Sequence, residues 1–171
     1  MGRAMKVISI WQPWASLIVQ GHKFIETRGW PAPKSLIGQT IGIAATKQIK
    51  HEQRAAMSDP DFARFYRETE MPDLDSLPHG CVLGTVLLHS SDPITDEDLE
   101  DLTDEELAFG WYTPGRYAWR LRQPKPFARP IPAMGKQGVW DWSHPDGEAQ
   151  AENPLHTLPK RTVTGRHLYV V

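Results

Sequence analysis

The sequence predicts an α+β fold: a small, partly closed β-barrel of five to six strands with helices inserted between them. Three observations carry this. Several short segments alternate apolar and polar residues, the period of a half-buried strand. One segment, CVLGTVLLH at Cys81–His89, is apolar almost throughout, which marks a central strand buried on both faces. The segments with helical periodicity do not alternate regularly with the strands, and that disfavours a doubly wound parallel sheet.

Taken in order, Met5–Ile10 (MKVISI) alternates as an opening strand. Gln12–Gln20 reads as a short amphipathic helix. Pro13 suits its first position, Trp14, Leu17 and Ile18 form one apolar face, and Gly21 fits the left-handed stop. Phe24–Arg28 is a strand in which Phe24, Glu26 and Arg28 share a parity. GWPAPKSLIG is a loop and Thr40–Ala45 the next strand. Lys47–Met57 and Pro60–Glu68 read as helices, the second capped by Asp59. After the strand at Cys81, Thr95 and Thr103 open two acidic helices, whose first-turn carboxylates suit the macrodipole. Leu99, Leu102 and Leu107 are expected to dock these helices on the core. Gly110–Arg116 is a turn-rich loop. Tyr117–Arg122 and Phe127–Ile131 are two strands, the latter proline-broken as edge strands often are. Gly138–Trp142 closes a domain over 1–142, and Ser143–Val171 reads as a polar, flexible tail.

The chain has 171 residues, enough for one domain with a real core. The single cysteine, Cys81, excludes an intramolecular disulfide and fits a reducing, cytoplasmic compartment. No apolar run reaches the roughly 18 residues of a membrane span, and no signal peptide is visible. The formal charge of −2 hides an asymmetry. Nine acids and no Lys or Arg lie between Asp92 and Gly110. The rest carries 19 Lys and Arg against 12 acids, the nine subtracted from 21. Such segregation permits a basic face. There is no CxxC, HxxxH or HExxH, so no zinc ligand set, and no Walker loop or GxGxxG after a strand. No metal or cofactor is expected.

Glu26 and Arg28 place opposite charges on one strand face beside bulky apolar neighbours, as a site holding an anion and a polar group requires. Arg28 offers a planar fork to phosphate and Lys23 a compact charge. Lys23 has the opposite parity and joins them only from the helix–strand junction. A bare Glu26–Arg28 or Glu26–Lys23 ion pair is the structural alternative. Lys47 at the end of its strand, and Lys136 and Gln137 in the glycine-flanked turn Gly135–Gly138, are further candidates. Trp11 and Trp14 near Lys23, and Trp111 and Tyr112 beside Arg116, offer rings on which bases stack.

QPWAS at Gln12–Ser16, then Gly21, Lys23, Glu26 and Arg28 in GxKxxExR spacing, resemble the ASCH (activating signal cointegrator homology) family. IGIAATK at Ile41–Lys47, PHGCVLGTVLL at Pro78–Leu88, YAWRL at Tyr117–Leu121 and the closing GKQGVWDW fit the same pattern. The resemblance implies a PUA-like barrel whose central cleft is lined by Lys23 and the rest of the signature, with Gln12 and Trp14 alongside. Some small members act as amidohydrolases on acetylated cytidine, through a threonine nucleophile in the signature strand. Here Glu26 stands in its place and cannot repeat that step. Other members are coactivator or RNA-associated binding modules, and a few are reported as ribonucleases. The expectation is a cleft binding nucleic acid, single-stranded RNA ahead of DNA, or a nucleotide-like ligand. The alternative is a hydrolase acting on RNA or a modified nucleoside through Lys23 and Glu26. A third reading, an interaction module, rests on the acidic helices alone.

Overall fold

The computed structural model describes residues 4–145. Its elements run β1 (Met5–Ile10), α1 (Trp14–Val19), β2 (Ile25–Arg28), β3 (Thr40–Ala45), α2 (His51–Ser58), α3 (Pro60–Glu68), β4 (Cys81–Pro93), α4 (Asp96–Glu100), α5 (Asp104–Ala108), β5 (Tyr117–Pro132) and β6 (Val139–Trp142). The six strands form one sheet in the order β2-β5-β4-β3-β1-β6. β1 and β3 are parallel and the other pairs antiparallel. The α+β class and the inserted helices are as the sequence predicts. The ring is not closed: β2 and β6 remain as edges.

The alternation of each strand sends its residues to two faces. Ile8, Ile10, Ile41, Ile43, Leu83, Val86, Leu88, Trp119 and Leu121 pack with Ala15, Ile18 and Val19 of α1 as the main core. The opposite parity places Val7, Ala44, Val82 and Trp140 in a smaller cluster with Phe127 and Trp142. The central strand is therefore buried on both faces near its start, as its composition requires. β4 shifts register against β5 at three places. Gly84 sits at one of them, and a side chain there would run into the Lys125 carbonyl, so glycine is needed for the close approach.

Two expected strands, Tyr117–Arg122 and Phe127–Ile131, are one strand of 16 residues. The bulges against β4 absorb what the prolines disturb. β2 pairs with Tyr117–Arg120 only, so the proline-rich half of β5 has a neighbour on one side, where a missing N–H is tolerated. The helix expected from Lys47 starts at His51 instead. Asp59 caps α3 by accepting from the Asp61 and Phe62 amides, with Pro60 in the first turn. Phe62 and Tyr66 then fall on one face and pack with Leu17 and Phe109. Leu99 and Leu102 dock against Ile25, Ile94 and Ala118. Leu107 does not join them and is 37% exposed; α5 turns a different residue, Glu106, inward. No helix among the described residues is long and apolar enough to cross a membrane. The expected tail lies, beyond Pro145, outside the described residues.

Candidate functional site

The signature segment folds locally before it meets anything distant. Gly21, at φ 81°, lets the amides of His22 and Lys23 both donate to the Leu17 carbonyl, at 2.8 and 3.1 Å. That closes α1 and leaves Lys23 at the junction, outside the pleat of β2. From there its side chain runs inward until 2% of it is exposed. Nζ lies 2.7 Å from Oε1 of Glu106 and donates to the Tyr112 hydroxyl at 3.1 Å. Tyr112 in turn donates to Glu106 Oε1 at 2.5 Å, and the Phe24 amide donates to Oε2 at 3.0 Å. Glu106 thus accepts three hydrogen bonds in a site nearly free of water. Burial, and then the adjacent Glu106 carboxylate, push the Tyr112 phenol well above its ordinary range.

Glu26 and Arg28 face a cleft of about 820 Å³. Arg28 Nε lies 2.9 Å from Glu26 Oε1, and Nη2 donates to the Ser9 carbonyl at 3.0 Å. The guanidinium sits 5.6 Å from the centre of the Trp30 ring and 5.9 Å from that of Trp119. Arg116 enters from the loop before β5 and donates to the Thr27 carbonyl at 2.9 Å, with its guanidinium 4.4 Å from the centre of the exposed Trp111 ring. Trp11 and Trp14 complete the aromatic wall, and Lys23 reaches the same cleft. The Trp14 indole donates to the Phe109 carbonyl at 2.7 Å, so its ring is fixed.

Shared parity would leave Glu26 ionised if its cationic neighbours decided the matter. Burial acts in the opposite direction. Burial pushes the Glu26 carboxyl above its ordinary value, and Arg28, Lys23 and Arg116 only partly offset the loss of water. A carboxyl held in this way both accepts and, when protonated, donates a hydrogen bond.

A family model described as the ASCH domain matches residues 8–131. The chain belongs to the ASCH domain family. Activating signal cointegrator 1 from Homo sapiens is 27% identical over 135 residues, 78% of this chain and 21% of the relative. The Mus musculus protein of that name matches with the same figures. The chain therefore spans about a fifth of the length of these curated relatives. Among solved structures, ASCH from Zymomonas mobilis is similar with a TM-score of 0.49 and 21% identity, covering 82% of this chain and 88% of that one.

Within this ASCH domain the cleft gathers Trp11, Trp14, Lys23, Glu26, Arg28, Trp111 and Arg116 of the sequence candidates. The others lie elsewhere. Gln12 is fully buried, donates to Ser16 and to the Pro78 carbonyl, and accepts from Gln53 through its own carbonyl. Its amide holds α1 to its surroundings instead of meeting a ligand. Lys47 is exposed and outside the cleft, because the strand ends before it and α2 begins only at His51. Tyr112 has its hydroxyl spent on Glu106 and its ring beneath Lys23 Nζ, so Trp111 alone of that pair faces the cleft. Lys136 and Gln137 are exposed and do not line it. Their turn meets the cleft residue Ser9 through the Lys136 carbonyl, which accepts from Ser9 at 2.8 Å. Trp30, Glu52, Asp59 and Glu106 are not among the site residues that the sequence suggests. Trp30 had a signal, a tryptophan directly after the signature strand; Glu106 had none, being one acid among nine. Among the described residues, no group of three or more His, Cys, Asp or Glu is placed to hold a metal ion.

Proposed function

We propose that this ASCH domain binds nucleic acid, single-stranded RNA ahead of DNA, or a nucleotide-like ligand, in the cleft built around Glu26, Arg28 and Arg116. The observation that supports it is the cleft lining: four tryptophans (Trp11, Trp14, Trp30 and Trp111) surround two guanidinium groups. Rings of this kind stack on any base, and arginine adds planar donors for phosphate or base edges. The test is fluorescence anisotropy with labelled single-stranded RNA and DNA of one sequence. Trp111→Ala removes a stacking surface worth roughly 1–3 kcal/mol, and affinity is expected to fall about 5- to 150-fold. Arg116→Ala is expected to weaken binding as well. Unchanged affinity in both variants would remove the cleft from the reading.

A second reading, hydrolysis of RNA or of a modified nucleoside such as acetylated cytidine, is favoured by one observation, the Glu26 carboxyl raised by burial at the wall of the cleft. General bases and acids work best near the operating pH, and burial moves a carboxyl in that direction. Incubating either substrate with the native chain and with Glu26→Gln, and following products by chromatography, separates the two readings. Turnover by the native chain that the Gln variant lacks makes the domain an enzyme; absence of turnover in both leaves it a binding module. A cytoplasmic setting is proposed on the strength of the single, buried Cys81.

A further inference from the structure

The cleft carries less positive charge than its residue names suggest. Lys23, Arg28 and Arg116 line it, but so do Glu26, Glu52 and Asp59. Lys50 lies over the Trp11 ring, 5.1 Å from its centre, and Glu106 stands behind Lys23. Cations and acids are therefore four of each. Two of the cations are already consumed: Lys23 by Glu106 at 2.7 Å, and Arg28 by Glu26 at 2.9 Å. Arg116 differs. Among the described residues no carboxylate lies within ion-pair distance of it. It gives one nitrogen to Thr27, and its Nε–H, like that of Arg28, meets no hydrogen-bond acceptor among the described residues. Its guanidinium lies over the Trp111 ring, 4.4 Å from its centre, and that ring lines the cleft and is 68% exposed.

We propose that this cleft takes one nucleotide at a time, its base against the tryptophan wall and a single phosphate on Arg116. This rests on the binding reading above and narrows it. A strand threading the cleft would bring several phosphates past Arg116, the one lining cation with no carboxylate at ion-pair distance, with the carboxylates of Glu52 and Asp59 opposing the rest. A volume of about 820 Å³ also lies within the range of small-molecule sites. The ligand is a base with one phosphate, either a free mononucleotide or the phosphorylated end of a strand.

The experiment is competition titration of the full chain at several salt concentrations. The probes are adenosine and uridine, their 5′-monophosphates, and a short oligoribonucleotide with and without a 5′-phosphate. The monophosphates are expected to bind about tenfold or more tightly than the nucleosides, since a charge-assisted pair is added. The logarithmic salt slope is expected near −0.7, the value for one phosphate of a single strand. Arg116→Gln should bring the monophosphate down to the affinity of the nucleoside. A strand that gains as much from its 5′-phosphate identifies the strand end as the source; a strand that gains nothing while the free monophosphate binds identifies the mononucleotide. Equal binding of nucleoside and monophosphate overturns the proposal. So does an oligoribonucleotide slope of about −2 or steeper, which counts three or more phosphates; if that binding is still weakened by Trp111→Ala, the nucleic-acid reading survives alone. Failure of every probe to bind sinks both.

Discussion

Lys23 and Arg28 come from the same short segment, and each meets a glutamate, yet the two pairs have different surroundings. Lys23 is sealed in with Glu106, the partners 2% and 9% exposed, and every oxygen of that carboxylate is bonded. Arg28 and Glu26 keep 16% and 14% of their side chains exposed and look into the cleft. The partner of Lys23 is 83 residues away, whereas that of Arg28 lies on the same strand. The difference is between a clasp and a surface. The distant pair ties α5 to the signature and holds the Trp111–Arg116 loop beside β2. The local pair leaves Glu26 mostly buried at the cleft wall, where burial raises its carboxyl against the pull of three cations.

The largest test removes the clasp. Glu106→Ala strands the buried Lys23 ammonium and leaves the Phe24 amide and the Tyr112 hydroxyl without their acceptor. It is expected to cost about 3–5 kcal/mol in urea denaturation. The double variant Lys23→Met, Glu106→Leu should recover most of that, because an apolar pair of similar volume needs no desolvation of charge. If the single variant costs less than about 1 kcal/mol, the pair is no more than a surface contact and the contrast drawn above fails.

The second test concerns the open pair and is a change of slope with pH. A carboxyl whose folded value is raised binds its proton more tightly in the folded chain than in the unfolded one. Its stabilising contribution is complete below the ordinary value, 4.5, and is lost as pH rises through the folded value. The native chain should therefore lose stability on raising pH above 4.5 by a component that Glu26→Gln lacks. Matched urea titrations of the two proteins across that window measure the difference. Parallel curves would mean that the cations, and not burial, set the state of Glu26.

The smallest effect belongs to a third pair, Arg120–Asp98 at 3.1 Å, whose partners are 36% and 30% exposed. Asp98 also closes the capping box of α4 with Thr95, and the hydrogen bond from the Thr95 side chain, more than Arg120, holds its carboxyl below the usual range. Asp98→Ala is expected to cost about 0.2–1 kcal/mol and to leave ligand binding in place. A loss comparable with that of Glu106→Ala would erase the distinction between buried and open pairs.

The sequence exposes the local half of this arrangement. Parity puts Glu26 and Arg28 on one face, Gly21 sets the junction, and the apolar run from Cys81 marks the central strand. Each of these depends on neighbours within a few residues. What depends on distance is hidden. Glu106 looks like its eight acidic companions until α5 turns it toward Lys23, and only then does its burial distinguish it. Gln12 sits in the most recognisable stretch of the chain, yet its amide is spent on Ser16 and Pro78. The merging of two proline-marked segments into β5 is hidden for the same reason. Whether a proline breaks a strand depends on whether a neighbour needs its missing N–H.

The placement of β1 between β3 and β6 bears on how the chain is made. Met5 pairs with Trp142 and Val7 with Trp140, so an early segment waits for a late one. At roughly 5–20 residues per second of translation, that interval is on the order of ten seconds. Until Val139–Trp142 has left the ribosome, β1 has an open backbone edge and Val7 has no Trp140 above it. The Ser9 side of the cleft, tied to the Lys136 carbonyl, is set only then. A nascent chain can thus complete its signature helix long before it owns a finished cleft.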